Sequence, residues 1–244
     1  MKELEAVEAK IAEACAKAGR SRDEVKIVAV TKTHGPETVQ EAFETGLWRI
    51  GENKVQEAMW KKPQCDSRLS WHLIGHLQTN KVRHALETFD YFHSVDSVKL
   101  LDKMQRCAEE MGLRPGVLLE VNVSGEKSKS GMKPEVVPFA LEHAMAECGA
   151  IDIEGFMTMA PFSTDPEASR PYFRRLKELQ IQMRKASGLY LPELSMGMSG
   201  DYTVAIEEGA TFVRLGTVLF GERPKLKRTV ASDDAIEQNC ITVD

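Results

Sequence analysis

Short apolar runs rich in β-branched residues alternate along the chain with longer stretches whose apolar positions recur every three or four residues. Eight segments read as strands: 25–32 (VKIVAVTK), 48–53 (WRIGEN), 70–76 (SWHLIGH), 91–96 (YFHSVD), 116–123 (GVLLEVNV), 151–160 (IDIEGFMTMA), 191–196 (LPELSM) and 211–220 (TFVRLGTVLF). Helical periodicity fills the gaps between them. It covers 3–18, where Leu4, Val7, Ile11, Ala14 and Cys15 form one stripe, and 36–45, which opens with proline at a first-turn position. It continues over 97–111, 134–147 and 165–186, the last with Phe173, Leu176, Leu179 and Met183 on its apolar face. A short helix is predicted at 202–208.

Strands separated by helices need crossover connections, so they lie parallel. Eight such units with strands apolar on both faces predict an α/β fold, a closed (β/α)8 barrel forming one domain over residues 1–224. An open doubly wound sheet is the alternative, disfavoured because no G-x-G-x-x-G turn follows the first strand. Residues 225–244 read as a polar, patternless tail.

Composition narrows the class. The 244 residues carry a net charge of −5 and no basic stripe, which argues against nucleic acid as a partner. No apolar run approaches the ~20 residues needed to span a bilayer, so no membrane association is expected. The acidic N-terminus has no apolar segment of the secretory kind. Cys15, Cys65, Cys107, Cys148 and Cys240 are scattered and form no C-x-x-C pair, so neither a disulfide framework nor a thiolate metal site is expected. A cytoplasmic setting fits this pattern.

In a barrel of this kind, function gathers where strands end and βα loops begin. Lys32 closes the first strand run, on the same face as Val28 and Val30 by the period of two. A lysine at an apolar strand end is partly desolvated, which favours the neutral, nucleophilic amine. Its ordinary alternative is a side chain that snorkels to water. The segment SMGMSGDY at 195–202 places glycines and serines before the short helix at 202–208, which Asp201 or Ser199 can cap. Such a helix start offers backbone donors to an anion, with the Ser199 hydroxyl as a further donor. Its plain reading is a tight turn with a capped helix. Arg214 lies within the eighth strand and faces either an anion, a ring nitrogen, or Glu120 across the barrel as an ion pair. Gly216 lets a ligand approach the backbone. Asn53 contacts a ligand or caps the following helix. His72 and His76 share a strand face but lack the glutamate of a zinc motif. His76 is expected near the loops and His72 inside the barrel.

Taken in order, several segments resemble the pyridoxal phosphate homeostasis protein family, related to the N-terminal barrel of alanine racemase. They are VAVTKT at 28–33, IGENKVQE at 50–57, WHLIGHLQTNK at 71–81 and SVD at 94–96. VNVSGEKSKSGM at 121–132, EGFMTMAP at 154–161, LSMGMSGDY at 194–202 and RLGTVLFGER at 214–223 follow. The resemblance spans roughly residues 25–223, and departs from the common family pattern at Thr33-His34-Gly35-Pro36. It implies a barrel binding pyridoxal 5′-phosphate as a Schiff base on Lys32. It places Ser199, Gly200, Gly216 and Thr217 at the phosphate, Arg214 near the pyridine nitrogen, and Asn53, Ile74 and Met157 along the pocket.

That resemblance implies a carrier or buffer of the cofactor, with pyridoxal-phosphate-dependent apoenzymes as candidate recipients. No residue is assigned a catalytic role and no metal is expected. An arginine beside the pyridine nitrogen disfavours its protonation and weakens the ring as an electron sink. Racemisation, the alternative reading, also needs a second base opposite Lys32. Residues beyond Arg223 are expected to supply no further domain, so Tyr202 is the candidate among Tyr91, Tyr172, Tyr190 and Tyr202. A third reading, an aldolase-type barrel in which Lys32 takes a sugar phosphate, predicts no chromophore. A monomer is expected.

Overall fold

The computed structural model describes residues 2–126 and 129–221. The expected tail at 225–244, and the ends of the last family segment and of the 1–224 domain, lie outside them. Eight parallel strands close into a barrel in sequence order: β1 (Lys26–Val30), β2 (Arg49–Glu52), β3 (Ser70–Leu73), β4 (Tyr91–Val95), β5 (Gly116–Glu120), β6 (Asp152–Met157), β7 (Glu193–Met198) and β8 (Phe212–Leu215). Pairing of β1 with β8, with Ala29 opposite Leu215, completes the ring.

The helices pack outside. They are α1 (Lys2–Lys17), α2 (Pro36–Glu44), α3 (Val55–Lys61), α4 (Val82–Thr88), α5 (Val98–Met111), α6 (Val137–Glu147), α7 (Arg170–Ser187), α8 (Tyr202–Glu207) and α9 (Thr217–Phe220). α1 lies against α8 and α9. Ser97 caps α5 by accepting from the Leu100 amide, and left-handed Gly112 ends it.

Two cores result from the period of two along each strand. Outward residues such as Ile27, Ala29, Leu73, Phe92 and Phe156 join the helix stripes in one apolar shell. Inward, Val28, Leu118, Met157 and Phe212 form a small cluster with Ile74 and Tyr91 against it. The rest of the interior is polar: His72, His93, Ser195, Glu120 and Arg214 are all buried.

Strand ends other than that of β7 differ from expectation in one direction. β1, β3, β5, β6 and β8 stop two to five residues before their predicted ends. Their ladders end where the strand tops open into βα loops, although apolar residues continue beyond. Residues 217–220, predicted as strand, form α9, whose start Gly216 allows with a φ of −119° and ψ of −82°. β7 is shifted towards the C-terminus because Leu191, at φ 34°, cannot sit in a ladder. α3 and α4, seven residues each, were not bounded by any periodicity. Pro138 and Pro171 lie in the first turns of α6 and α7, so each helix starts later than predicted, after a short 3₁₀ turn.

Candidate functional site

Lys32 stands in the turn directly after β1, not within the strand, and is half-buried. It makes contacts within the protein, as does His34. The His34 ring lies 5.7 Å from that of Phe220 in α9. Thr33 adopts the left-handed conformation, φ 69°, and its amide donates to Glu57 Oε1 at 2.5 Å.

The β7 and β8 loops meet beside this turn. The amides of Gly216 and Val218, at the start of α9, both donate to Ser199 Oγ, at 3.4 and 3.3 Å. A Cβ on Gly216 would sit 3.3 Å from the Val30 carbonyl oxygen, so glycine lets this cradle lie close against β1. Gly200 borders open space and Thr217 is exposed. The expected capping role of Asp201 and Ser199 on α8 is corrected. Asp201 precedes α8, but its carboxylate accepts from the Met198 amide at 2.7 Å and from Ser169 Oγ at 3.0 Å. The donors converging on Ser199 belong to α9 instead.

Arg214 is fully enclosed. Its guanidinium donates to Ser195 Oγ at 2.6 Å and to the Thr158 carbonyl at 3.0 Å. Among the described ion pairs none joins it to Glu120, so the ion pair across the barrel, one of the three alternatives for this residue, is not formed. Burial lowers the Arg214 pKa to about 10, so it stays a cation at neutral pH. Glu120 is 3% exposed, and burial, helped by Asp96, pushes its carboxyl up to about 7.

Behind Arg214 a hydrogen-bonded row runs down the interior. Ser195 Oγ is 2.8 Å from His93 Nδ1, His93 Nε2 is 2.9 Å from His72 Nδ1, and His72 Nε2 is 3.2 Å from Ser70 Oγ. Burial holds His72 near a pKa of 3 and His93 well below its usual value, so both are neutral and each carries one N–H. Ser195 Oγ accepts from Arg214, and the arrangement that gives the Ser195 hydroxyl proton an acceptor has it donate to His93 Nδ1. His93 then donates from Nε2 to His72, and His72 from Nε2 to Ser70. Every link points away from Arg214.

The other candidates are nearby but play plainer parts in the structure. Ile74 and Met157 line the interior beside Val28. Asn53 follows β2 with its carbonyl against Gly75, where a Cβ would come within 2.4 Å of it; Lys54, not Asn53, precedes α3. His72 is interior and His76 exposed, as expected; His76 Nδ1 lies 3.1 Å from Asp96. Tyr202, the candidate second base of the racemase alternative, is buried beneath the loop with a hydroxyl lacking any hydrogen-bond partner among the described residues, and burial raises its pKa. Two surface depressions flank the N-terminal ends of the strands, one lined by Arg114, Ile151 and Pro192 and one by Glu8, Lys26 and Arg49, away from all these residues. His93, Ser195 and Thr158 were not anticipated. The signal for His93 and Ser195 was parity, each being polar at an inward strand position; Thr158 lies just beyond β6 and reaches Arg214 through its backbone carbonyl, which no side-chain pattern marks.

The profile of the alanine racemase N-terminal domain family matches residues 3–224. A protein of Aquifex aeolicus called pyridoxal phosphate homeostasis protein is 44% identical over 215 residues, 88% of this chain and 94% of that one. A human protein of the same name is 36% identical, covering 92% and 87%. Among solved structures, PipY of Synechococcus elongatus PCC7942 with PLP bound is 36% identical with a TM-score of 0.77, covering 86% of this chain and all of that one. Alanine racemase of Clostridium difficile 630 shares the fold, with a TM-score of 0.71 at 16% identity, and this chain covers 58% of it.

Proposed function

Because the chain belongs to the pyridoxal phosphate homeostasis proteins, whose relatives include a barrel solved with PLP bound, we propose that it binds pyridoxal 5′-phosphate at the C-terminal mouth of its barrel. The reading rests on one observation. The turn carrying Lys32 and the donor set of Ser199, Gly216 and Val218 adjoin on neighbouring strands, β1 and β8, with buried Arg214 between them and the barrel interior.

The groups present fit that ligand. Two amides at the start of α9 and a serine hydroxyl suit a phosphate, with Gly200 and Thr217 at its open side. Arg214 offers a fixed cation to a ring nitrogen, and Asn53, Ile74 and Met157 form the wall. When bound, pyridoxal phosphate supplies an aldehyde that condenses reversibly with an amine. Lys32 is the amine we assign to that role.

We read the protein as a carrier and buffer rather than an enzyme. Arg214 is a cation held by neutral partners, and it would oppose a proton on a ring nitrogen facing it. The racemase reading needs a second proton-transferring group opposite Lys32. Tyr202, its candidate, is buried with its hydroxyl sealed from the mouth. Apoenzymes that use the same cofactor are the proposed recipients, the proposed setting is cytoplasmic, and the proposed state is a monomer. Among the described residues no helix is long and apolar enough to cross a membrane.

The test is the visible absorption of wild type and Lys32→Ala with added pyridoxal phosphate, followed by borohydride. A yellow band in wild type alone, fixed by reduction onto Lys32, is expected. Equal colour in both proteins, or none in either, would sink the assignment. Racemisation of amino acids by the loaded wild type would replace the carrier reading with the enzymatic one.

A further inference from the structure

The family segments include IGENKVQE at 50–57, and the site described above uses only Asn53 from it. Two of its charged residues, Glu52 and Glu57, enter a cluster outside the barrel wall. Lys61, the last residue of α3, has a fully buried side chain. Its ammonium donates to Glu52 Oε1 at 2.7 Å, to Glu57 Oε1 at 2.7 Å and to the Thr31 carbonyl at 2.9 Å. Three protons meet three acceptors, so the cation is saturated. Glu52 also accepts from Thr31 Oγ1 at 2.6 Å, while its second oxygen is buried without a partner. Glu57 also accepts from the Thr33 amide.

Both chain neighbours of Lys32 are thereby held by one network. Thr31 is fixed through its carbonyl and its hydroxyl. Thr33 is fixed through its amide in a left-handed conformation that a β-branched residue rarely adopts, and which persists only where its surroundings enforce it. A purely stabilising ion pair would not need to converge on these two peptides. Burying Lys61 and Glu52 is costly, and the geometry that offsets this cost is aimed at the turn.

We propose that Lys61, with Glu52 and Glu57, is a positioning cluster that holds the Lys32 turn ready for the aldehyde of pyridoxal phosphate. Lys61 is not an alternative attachment site, since its ammonium is enclosed and fully hydrogen-bonded. The inference rests on the reading of Lys32 as the attachment residue.

The test uses the full chain with Glu57→Ala, Glu57→Gln and Lys61→Met. Two readouts are needed: hydrogen exchange at the Thr33 amide without ligand, and pyridoxal phosphate affinity with borohydride-trapped pyridoxyl groups mapped by peptide mass. Glu57→Ala should speed Thr33 exchange and weaken affinity at least ~10-fold, the size of one or two lost hydrogen bonds. Glu57→Gln keeps the accepting oxygen and should stay near wild type, a rescue that general destabilisation does not explain. Lys61→Met should resemble Glu57→Ala; should it fail to fold, the Glu57 pair decides. Unchanged exchange and affinity in Glu57→Ala overturn the proposal. Wild type that carries no pyridoxyl group on Lys32 overturns the functional reading instead, and the exchange measurement still reports on the clamp.

Discussion

The barrel interior and the shell around it are built from opposite materials. The shell is a continuous apolar layer in which Phe92, Phe156, Leu101 and Phe173 are buried completely. The interior keeps four residues in its apolar cluster and then turns polar, from Ser70 through His72, His93 and Ser195 to Arg214. The shell gains stability from area removed from water and tolerates many arrangements. The interior works by direction, since each group needs one partner at one angle. The shell therefore sets whether the chain folds, and the interior sets what the mouth presents.

Four changes test this division. The largest effect belongs to the shell: Phe156→Ala should cost roughly 3–5 kcal/mol in urea unfolding, while ligand affinity of the folded fraction stays unchanged. An equal loss of affinity would erase the distinction.

Glu120 comes next, through pH. Its folded pKa, about 7, lies above the usual value of 4.5, so the folded state holds a proton that the unfolded state releases earlier. Stability should therefore fall as pH rises from about 4.5 to 7, by at most ~3 kcal/mol, and level off above that. Glu120→Gln should flatten the slope; an unchanged slope assigns it to other groups.

Ser195→Ala leaves Arg214 and His93 each short of a buried partner. It should cost ~1–3 kcal/mol in the same unfolding assay and weaken pyridoxal phosphate binding more than Phe156→Ala does. Least affected should be Arg83→Ala, which breaks an exposed pair with Glu110 on α5. Its unfolding midpoint should move by under ~0.5 kcal/mol.

The architecture was legible because its rules are local: strand runs, helix stripes and their alternation. The loop position of Ser199 followed from it, whereas Lys32 and Asn53, expected as the last residues of their strands, stand just beyond them. Strand ends did not follow, because apolar residues continue past the last ladder bond, as at 74–76 and 121–123. Charge alone left Glu120 open as one of three partners for Arg214, but serine and a carbonyl are nearer. His93 and Ser195 were hidden for a related reason. Polar residues inside an apolar run carry no sign of the partner they meet across a barrel. The Lys61 cluster joins residues 31, 33, 52, 57 and 61, and charge on a short helix reads as ordinary solvated surface until its burial is known.

The one-way row behind Arg214 also bears on how quickly a ligand arrives. Its aligned dipoles turn their accepting ends towards the guanidinium and steady the positive charge without a bonded carboxylate. Among the described residues the barrel thus keeps near its mouth a cation with no contact carboxylate, on which Asp201 and Glu120 act only at longer range, in a chain that is net negative overall. A doubly charged phosphate ester is repelled by the surface at large and drawn to this one opening, so capture should quicken as ionic strength falls only if the local field outweighs the global one. Stopped-flow association at two salt concentrations measures which of the two governs encounter.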